Sequence, residues 1–230
     1  MSLKKPEAIV LVSGGMDSAL TAAIAEKKYN LNFLHVNYGQ KTEMRELKAF
    51  NEISVYYKVT NKLIADISYL GKIGGSSLTD YKLKIAKADL KSKNIPTSYV
   101  PFRNANILSI AVSWAEIINA GKIFIGAVEE DSSGYPDCRK DFFKSFNDMI
   151  RKGSKAGSGI KIVTPIINMS KKEIVLKSVK IGSPLHLTWS CYKNNAIACG
   201  ECDSCALRLR GFQSAGVKDP VIYKKIISYN

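Results

Sequence analysis

The stretch AIVLVSGGMDSALTAAIAEKK, residues 8–28, decides the fold. Its first five residues are apolar and rich in β-branched side chains, the composition of a buried strand. From Asp17 onward the apolar positions, Leu20 and Ile24 among alanines, take helical spacing. The SGGMDS string between them is a glycine turn that feeds directly into a helix N-terminus. Backbone N–H groups converge there and the helix dipole adds partial positive charge, so the turn is a seat for phosphate. A Walker A loop would place a lysine directly after its last glycine to reach the β- and γ-phosphates. Here Met16 and Asp17 follow Gly15 instead. Val12, Ser13, Gly14, Gly15, Met16, Asp17 and Ser18 are the candidate nucleotide-binding residues. An N-capped structural turn would explain Gly14 and Asp17 but not the whole string.

The same alternation continues along the chain. LNFLHVNYG (31–39) reads as a strand, and residues 42–57 as a helix with an acidic first turn. Residues 104–121 read as a long buried helix stopped by glycine, followed by the strand KIFIGAV (122–128). A helix over 141–155, a strand over 160–166 and a helix opened by a Ser170/Glu173 capping box complete the series. Strands and helices in this order imply an α/β fold, a doubly wound parallel sheet of Rossmann type covered on both faces. Ligands in such sheets bind at the carboxyl ends of the strands.

At 230 residues, 46% hydrophobic, the chain can bury a full core. No apolar run is long enough to span a bilayer, and MSLKKPEAIV enters the first strand without a cleavable leader pattern, so a soluble, cytoplasmic protein is expected. The 34 Lys and Arg against 20 Asp and Glu give a net charge of +14, which suits nucleic acid and polyanionic small molecules alike. Lys82, Lys84, Lys87, Lys91 and Lys93 crowd into one stretch, residues 80–98, read as a solvated loop or as a lid closing on phosphate.

Four of the five cysteines lie near the end, in CYKNNAIACGECDSC. Cys191, Cys199, Cys202 and Cys205 form C-x7-C-x2-C-x2-C, and four converging thiolates make a closed site with no position left for water. One structural Zn2+ per chain is the reading. An iron–sulfur cluster also accepts four thiolates and stays open at this point. Two units are expected: residues 1–185 carrying the phosphate loop, and residues 186–230, a small four-cysteine zinc-binding subregion packed on it. Cys138 and His35 are read as packing residues rather than nucleophile and base.

Six strings in order, SGGMDS, YGQK, VPFRNANIL, DSSGYPDCR, WSCY and CGECDSCALRLRGF, make the chain resemble the 7-cyano-7-deazaguanine synthase family, within the N-type ATP pyrophosphatases. It departs from the family at Phe102, where glycine is usual, and at Thr42, where histidine is frequent. The resemblance implies an adenine nucleotide alpha hydrolase-like fold and ATP-dependent conversion of 7-carboxy-7-deazaguanine and ammonia to the nitrile, in queuosine or archaeosine precursor synthesis. Adenylyl transfer to the carboxylate, then to the amide that ammonia makes of it, would use one loop twice. Asp17, with Mg2+, and Ser18, Arg103 and Arg139 are the implied catalytic residues. Asn104, Tyr135 and Asp137 are the implied contacts to the deazaguanine. A homodimer is implied, with no nucleic-acid substrate and no membrane partner. The rivals are an adenylating enzyme acting on tRNA, favoured by the charge, and a non-catalytic nucleotide-binding module.

Overall fold

The computed structural model describes residues 5–92, 94–129, 134–155 and 159–229. Lys93, and Asp131, Ser132 and Ser133 of the DSSGYPDCR string, lie outside the described residues. Five strands, β1 (Glu7–Leu11), β2 (Asn30–Asn37), β3 (Lys62–Asp66), β4 (Lys122–Phe124) and β5 (Lys161–Val163), form one sheet in the order β3-β2-β1-β4-β5. Every pairing is parallel, with Val10 opposite Phe33 on one side and Phe124 on the other.

The strand alternation builds two apolar layers. Ala8, Val10 and Val12 face Ala19, Ala22 and Ala25 of α1 (Met16–Glu26) and Phe50 and Ile53 of α2 (Glu43–Tyr56). Ile9 and Leu11 face the other way, into a core shared with α4 (Arg103–Ile118) and α5 (Lys140–Gly153), while α3 (Tyr69–Ile73) follows β3 at the edge. The sheet is therefore doubly wound, as the alternation of elements predicts. A third core joins α1 to α6 (Lys171–Ile181) and α7 (Asp203–Ala215) through Leu20, Ile174, Val175 and Phe212. The Ser170/Glu173 capping box is formed, so α6 starts at a fixed point beside α1.

Two strands are shorter than their apolar runs. KIFIGAV is paired as strand only through Phe124, because at Gly126 the chain passes against the first turn of α1. A Cβ on Gly126 would stand 2.8 Å from the Asp17 carbonyl carbon and oxygen, so only glycine allows that approach. The sheet order reverses between β1 and β4, and a crevice opens at their carboxyl ends.

Candidate active site

A cavity of about 280 Å³ occupies this crevice. One wall is the glycine turn. Gly14 has φ +88°, and a Cβ there would stand 2.9 Å from both the Glu46 carbonyl oxygen and Ala49 Cβ, so α2 presses directly on the turn. Ser13 Oγ accepts from the Gly15 N–H at 3.3 Å, and Ser18 Oγ donates to the Gly15 carbonyl at 2.9 Å. Val12, Ser13, Gly15, Met16, Asp17 and Ser18 all line the cavity.

The lysine missing from the loop arrives from 154 residues away. Lys171, at the capped start of α6, is buried and donates from Nζ to Asp17 Oδ2 at 2.6 Å. Gly211 of α7 packs against its stem. Asp17 Oδ1 is buried with no hydrogen-bond partner among the described residues. A phosphate-bound divalent cation needs oxygen ligands of this kind, so the chemistry of the site fits magnesium at Asp17.

The opposite wall is aromatic around one cation. The Arg103 guanidinium lies over the Tyr38 ring, 4.9 Å from its centroid. Burial by itself would lower its pKa, but Tyr38, Tyr135, Tyr192 and Asp137 outweigh burial and raise it, which fixes the charge. No described carboxylate is within ion-pair distance of Arg103, and its Nε is buried without a partner. A cation in that state is a receptor for an anionic group.

The other sequence candidates divide. Tyr135 lines the cavity and donates from its hydroxyl to Ser98 Oγ at 2.9 Å. Asn104 also lines it, but its side-chain N–H groups go to the Asp137 carbonyl at 2.9 Å and to Cys138 Sγ at 3.4 Å. Asp137 spends Oδ2 on the Asn104 backbone N–H at 2.9 Å and stands behind the wall rather than in it. Arg139 is exposed at the start of α5 and is not brought into the cavity. Cys138 lines the cavity with a thiol that burial pushes up to about 11, which fits packing rather than nucleophilic attack. His35 is buried in β2 with Nδ1 2.8 Å from the Val12 carbonyl, and burial lowers its pKa and keeps it neutral.

The cysteine tail closes the third side. Cys191, Cys199, Cys202 and Cys205 are buried, with all four sulfurs within 4.8 Å of one another. Backbone N–H groups of Lys193, Asn194 and Cys199 point at Cys191 Sγ, and those of Glu201 and Cys202 at Cys199 Sγ. Such N–H groups stabilise thiolate, and the set fits a metal ion. The knuckle reaches the loop directly, since the Trp189 N–H donates to the Gly14 carbonyl at 2.8 Å. Arg45 of α2 stacks on the Trp189 ring at 4.5 Å. Arg208 of α7, fully buried, holds Asp219 with a bidentate pair at 2.8 and 2.9 Å and donates to Thr188 Oγ1 at 2.7 Å. The lysine-rich stretch docks on this knuckle: the Ala88 N–H donates to the Glu201 carbonyl, and Lys87 approaches the Glu201 carboxylate. None of its described lysines lines the cavity, and the stretch stands docked on the knuckle.

A parallel sheet with a glycine phosphate turn at its switch point, a buried lysine on the turn's aspartate and a four-cysteine knuckle against the loop defines a nucleotide-binding α/β protein of the phosphate-loop pyrophosphatase class. A solved structure of that fold, the U34-tRNA thiolase NcsA from Methanococcus maripaludis, superposes with a TM-score of 0.50 at 16% identity, covering 84% of this chain and 62% of that one. That likeness is one of fold alone. The chain belongs to the QueC family, whose model, "Queuosine biosynthesis protein QueC", matches residues 7–216. It is 56% identical to the 7-cyano-7-deazaguanine synthase of Chloroherpeton thalassium over 96% of this chain and 99% of that protein. It is also 56% identical to the enzyme of the same name from Chlorobium phaeobacteroides, over 97% and 99%.

Proposed function

We propose that the chain is an ATP-dependent ligase that makes 7-cyano-7-deazaguanine from 7-carboxy-7-deazaguanine and ammonia. The observation that carries this reading is the pairing, across one cavity, of a phosphate turn with a half-buried arginine that has no carboxylate within ion-pair distance among the described residues. The turn and Lys171 suit the triphosphate, and Arg103 suits the substrate carboxylate.

A carboxylate is a poor electrophile, and its conversion to a mixed anhydride supplies the leaving group. The substrate oxygen attacks the α-phosphorus, the α–β anhydride bond breaks, and pyrophosphate departs against the backbone N–H groups of the turn. Ammonia then forms the C–N bond while the C–O bond breaks and AMP leaves. A second ATP activates the amide oxygen in the same way, and loss of the nitrogen's protons with C–O cleavage leaves the nitrile. Donors fixed in place before the reaction act on developing charge without reorganising. Magnesium at Asp17 would shield the triphosphate charge.

The knuckle is proposed to hold one structural Zn2+. Four thiolates at 2.3 Å from one ion stand roughly 3.8 Å apart at tetrahedral geometry, and Cys199 and Cys205 Sγ are 3.8 Å apart. A four-iron cluster takes one thiolate per iron and spreads the sulfurs wider. The division of the chain at residue 185 is proposed as functional, with residues 1–185 binding ATP and 186–230 forming the metal-clamped wall. Among the described residues no helix is long and apolar enough to cross a membrane, which supports the cytoplasmic reading. A homodimer rests on the family resemblance and is checked by light scattering.

The test is mass spectrometry of the metal-assayed protein with 7-carboxy-7-deazaguanine, ammonium and magnesium ATP. Nitrile forming through a transient amide, with AMP released, is the expected result. ATP consumed only when tRNA is added, or not at all, overturns it.

A further inference from the structure

The cavity holds a carboxyl group that the steps above do not use. Glu46 stands on the first turns of α2, where its own carbonyl oxygen presses on Gly14 of the phosphate turn, and its side chain lines the cavity on the Arg103 side. Its two oxygens are each held by one donor: Thr42 Oγ1 at 2.7 Å on Oε1 and Gln40 Nε2 at 3.1 Å on Oε2. Gln40 is fixed in turn by the Tyr38 N–H at 2.8 Å. The carboxyl is thus aimed, not merely present, and each oxygen keeps a lone pair for a further donor.

Resting on the proposed function, a nitrogen that arrives as ammonium must shed protons before and during attack. The substrate offers no base for this, Arg103 and Lys171 are cations, and His35, which also lines the cavity, is made a weaker base by burial. We propose that the Glu46 carboxylate is the ammonium site of this cavity and takes a proton from the attacking nitrogen. One ammonium N–H bond breaks and its proton goes to Glu46. The freed lone pair forms the C–N bond at the activated carboxyl carbon, and the C–O bond breaks with its electron pair leaving on AMP. The extra proton on the new nitrogen goes to water, and Glu46 returns its own proton to water before the next turnover.

The electrostatics match the task. Burial raises the Glu46 pKa to about 7, against the lowering effect of Thr42, Gln40 and Arg103 and with a further push from Glu43. Tyr38, a further titratable neighbour, is itself pushed up by burial and by Glu46 and stays neutral, and burial likewise raises Tyr135 and Tyr192 on the same wall. A base near neutrality is both deprotonated and able to accept a proton at working pH.

The experiment measures kcat at saturating ATP, acid and ammonium from about pH 5.5 to about 8.5, with ATP affinity by calorimetry, for the wild-type chain, Glu46→Gln and Thr42→Val. The E46Q variant is expected to lose about 100-fold or more in kcat above neutrality while keeping its ATP affinity within about twofold. The wild-type to E46Q ratio should fall about tenfold per pH unit below about 7, because protonation disables the base and the variant has none to disable. T42V removes a hydrogen bond that lowers the Glu46 pKa, so its inflection should move to higher pH. If E46Q does not fold, an unmoved T42V inflection overturns the inference. An E46Q kcat within about threefold of wild type, a flat ratio, or a loss of ATP affinity equal to the loss of kcat also overturns it. A wild-type chain forming neither amide nor nitrile overturns the proposed function and this inference with it, whereas E46Q matching a productive wild type overturns the inference alone.

Discussion

The phosphate turn and the cysteine knuckle face the same cavity, and they reach their geometry by different means. The turn is fixed by regular structure on both sides, a buried strand behind it and a buried helix in front. The knuckle, residues 189–202, has almost no regular structure and depends on four sulfurs, a buried arginine and short backbone contacts such as that between Ala198 and Ile222. One is preorganised by the sheet; the other has the four-cysteine set that we propose a metal ion holds together. Among the described residues they meet in one backbone hydrogen bond, Trp189 N–H to the Gly14 carbonyl.

The largest effect is therefore expected from the metal. Chelation, or Cys202→Ser, removes the proposed metal tie between the knuckle's sulfurs, and ligand binding energy at such sites is folding energy. The expected outcome is new proteolytic cleavage between 189 and 202 together with a drop of tenfold or more in ATP affinity, on the order of 1.4 kcal/mol. Sheet strands β1 and β2 should keep most of their amide-exchange protection, since their core is built mainly by the strands, α1, α2, α4 and α5 and meets the tail only at partly buried Leu187 and Tyr192 among the described residues. Unchanged ATP affinity in the metal-free protein would show that the Trp189 contact transmits nothing.

A smaller effect, confined to chemistry, is expected from Lys171→Met. The variant keeps the length of the stem against Gly211 and removes the cation from Asp17 Oδ2. Turnover should fall by about 10² to 10³, the scale for deleting one preorganised charge-stabilising group. Stability should fall by only about 1 kcal/mol, because Asp17 keeps 29% side-chain exposure and water replaces the lost partner. Urea denaturation and steady-state kinetics on the same preparation separate the two. Equal turnover would remove Lys171 from the phosphate site.

How far the sequence discloses these regions follows the same contrast. The turn is legible because strand, glycines and helix are contiguous, and the four cysteines because their spacing alone brings thiolates together. Lys171 is invisible from sequence: it follows a capping serine and only the packing of α6 on α1 takes it to Asp17. Glu46 reads as part of an acidic helical turn, and only the packing of α2 on the Gly14 turn brings it to the cavity. The edge strand β3 escapes because KLIAD alternates exposed and half-buried positions and carries charges at both ends. Arg139 looks equivalent to Arg103 in composition, but one caps an exposed helix start while the other points into a ring of tyrosines. Nothing in ALRLRGF sets Arg208 apart from Arg210, and the fold buries it completely.

The smallest effect tests the chain's own departure from its family. Phe102, where the family resemblance leads one to expect glycine, sits at φ 56° and ψ 24°, the left-handed region, as the residue that opens α4 one position before Arg103. A side chain there costs about 1 kcal/mol, while glycine would cost a similar amount in unfolded-chain entropy. The ring is 61% exposed and makes one edge contact, 6.3 Å between centroids, with Phe142. Phe102→Gly should therefore shift stability by less than about 1 kcal/mol in either direction and leave kcat unchanged, because the Phe102 N–H still donates to the Tyr99 hydroxyl at 3.0 Å and Arg103 keeps its start. Phe102→Val makes the sharper comparison: a β-branched residue is poorly tolerated at positive φ, so it should lose stability relative to both. If the valine variant matches phenylalanine in thermal denaturation, the left-handed backbone at this position is not held by α4, and the approach of Arg103 to its tyrosines must be fixed from the cavity side alone.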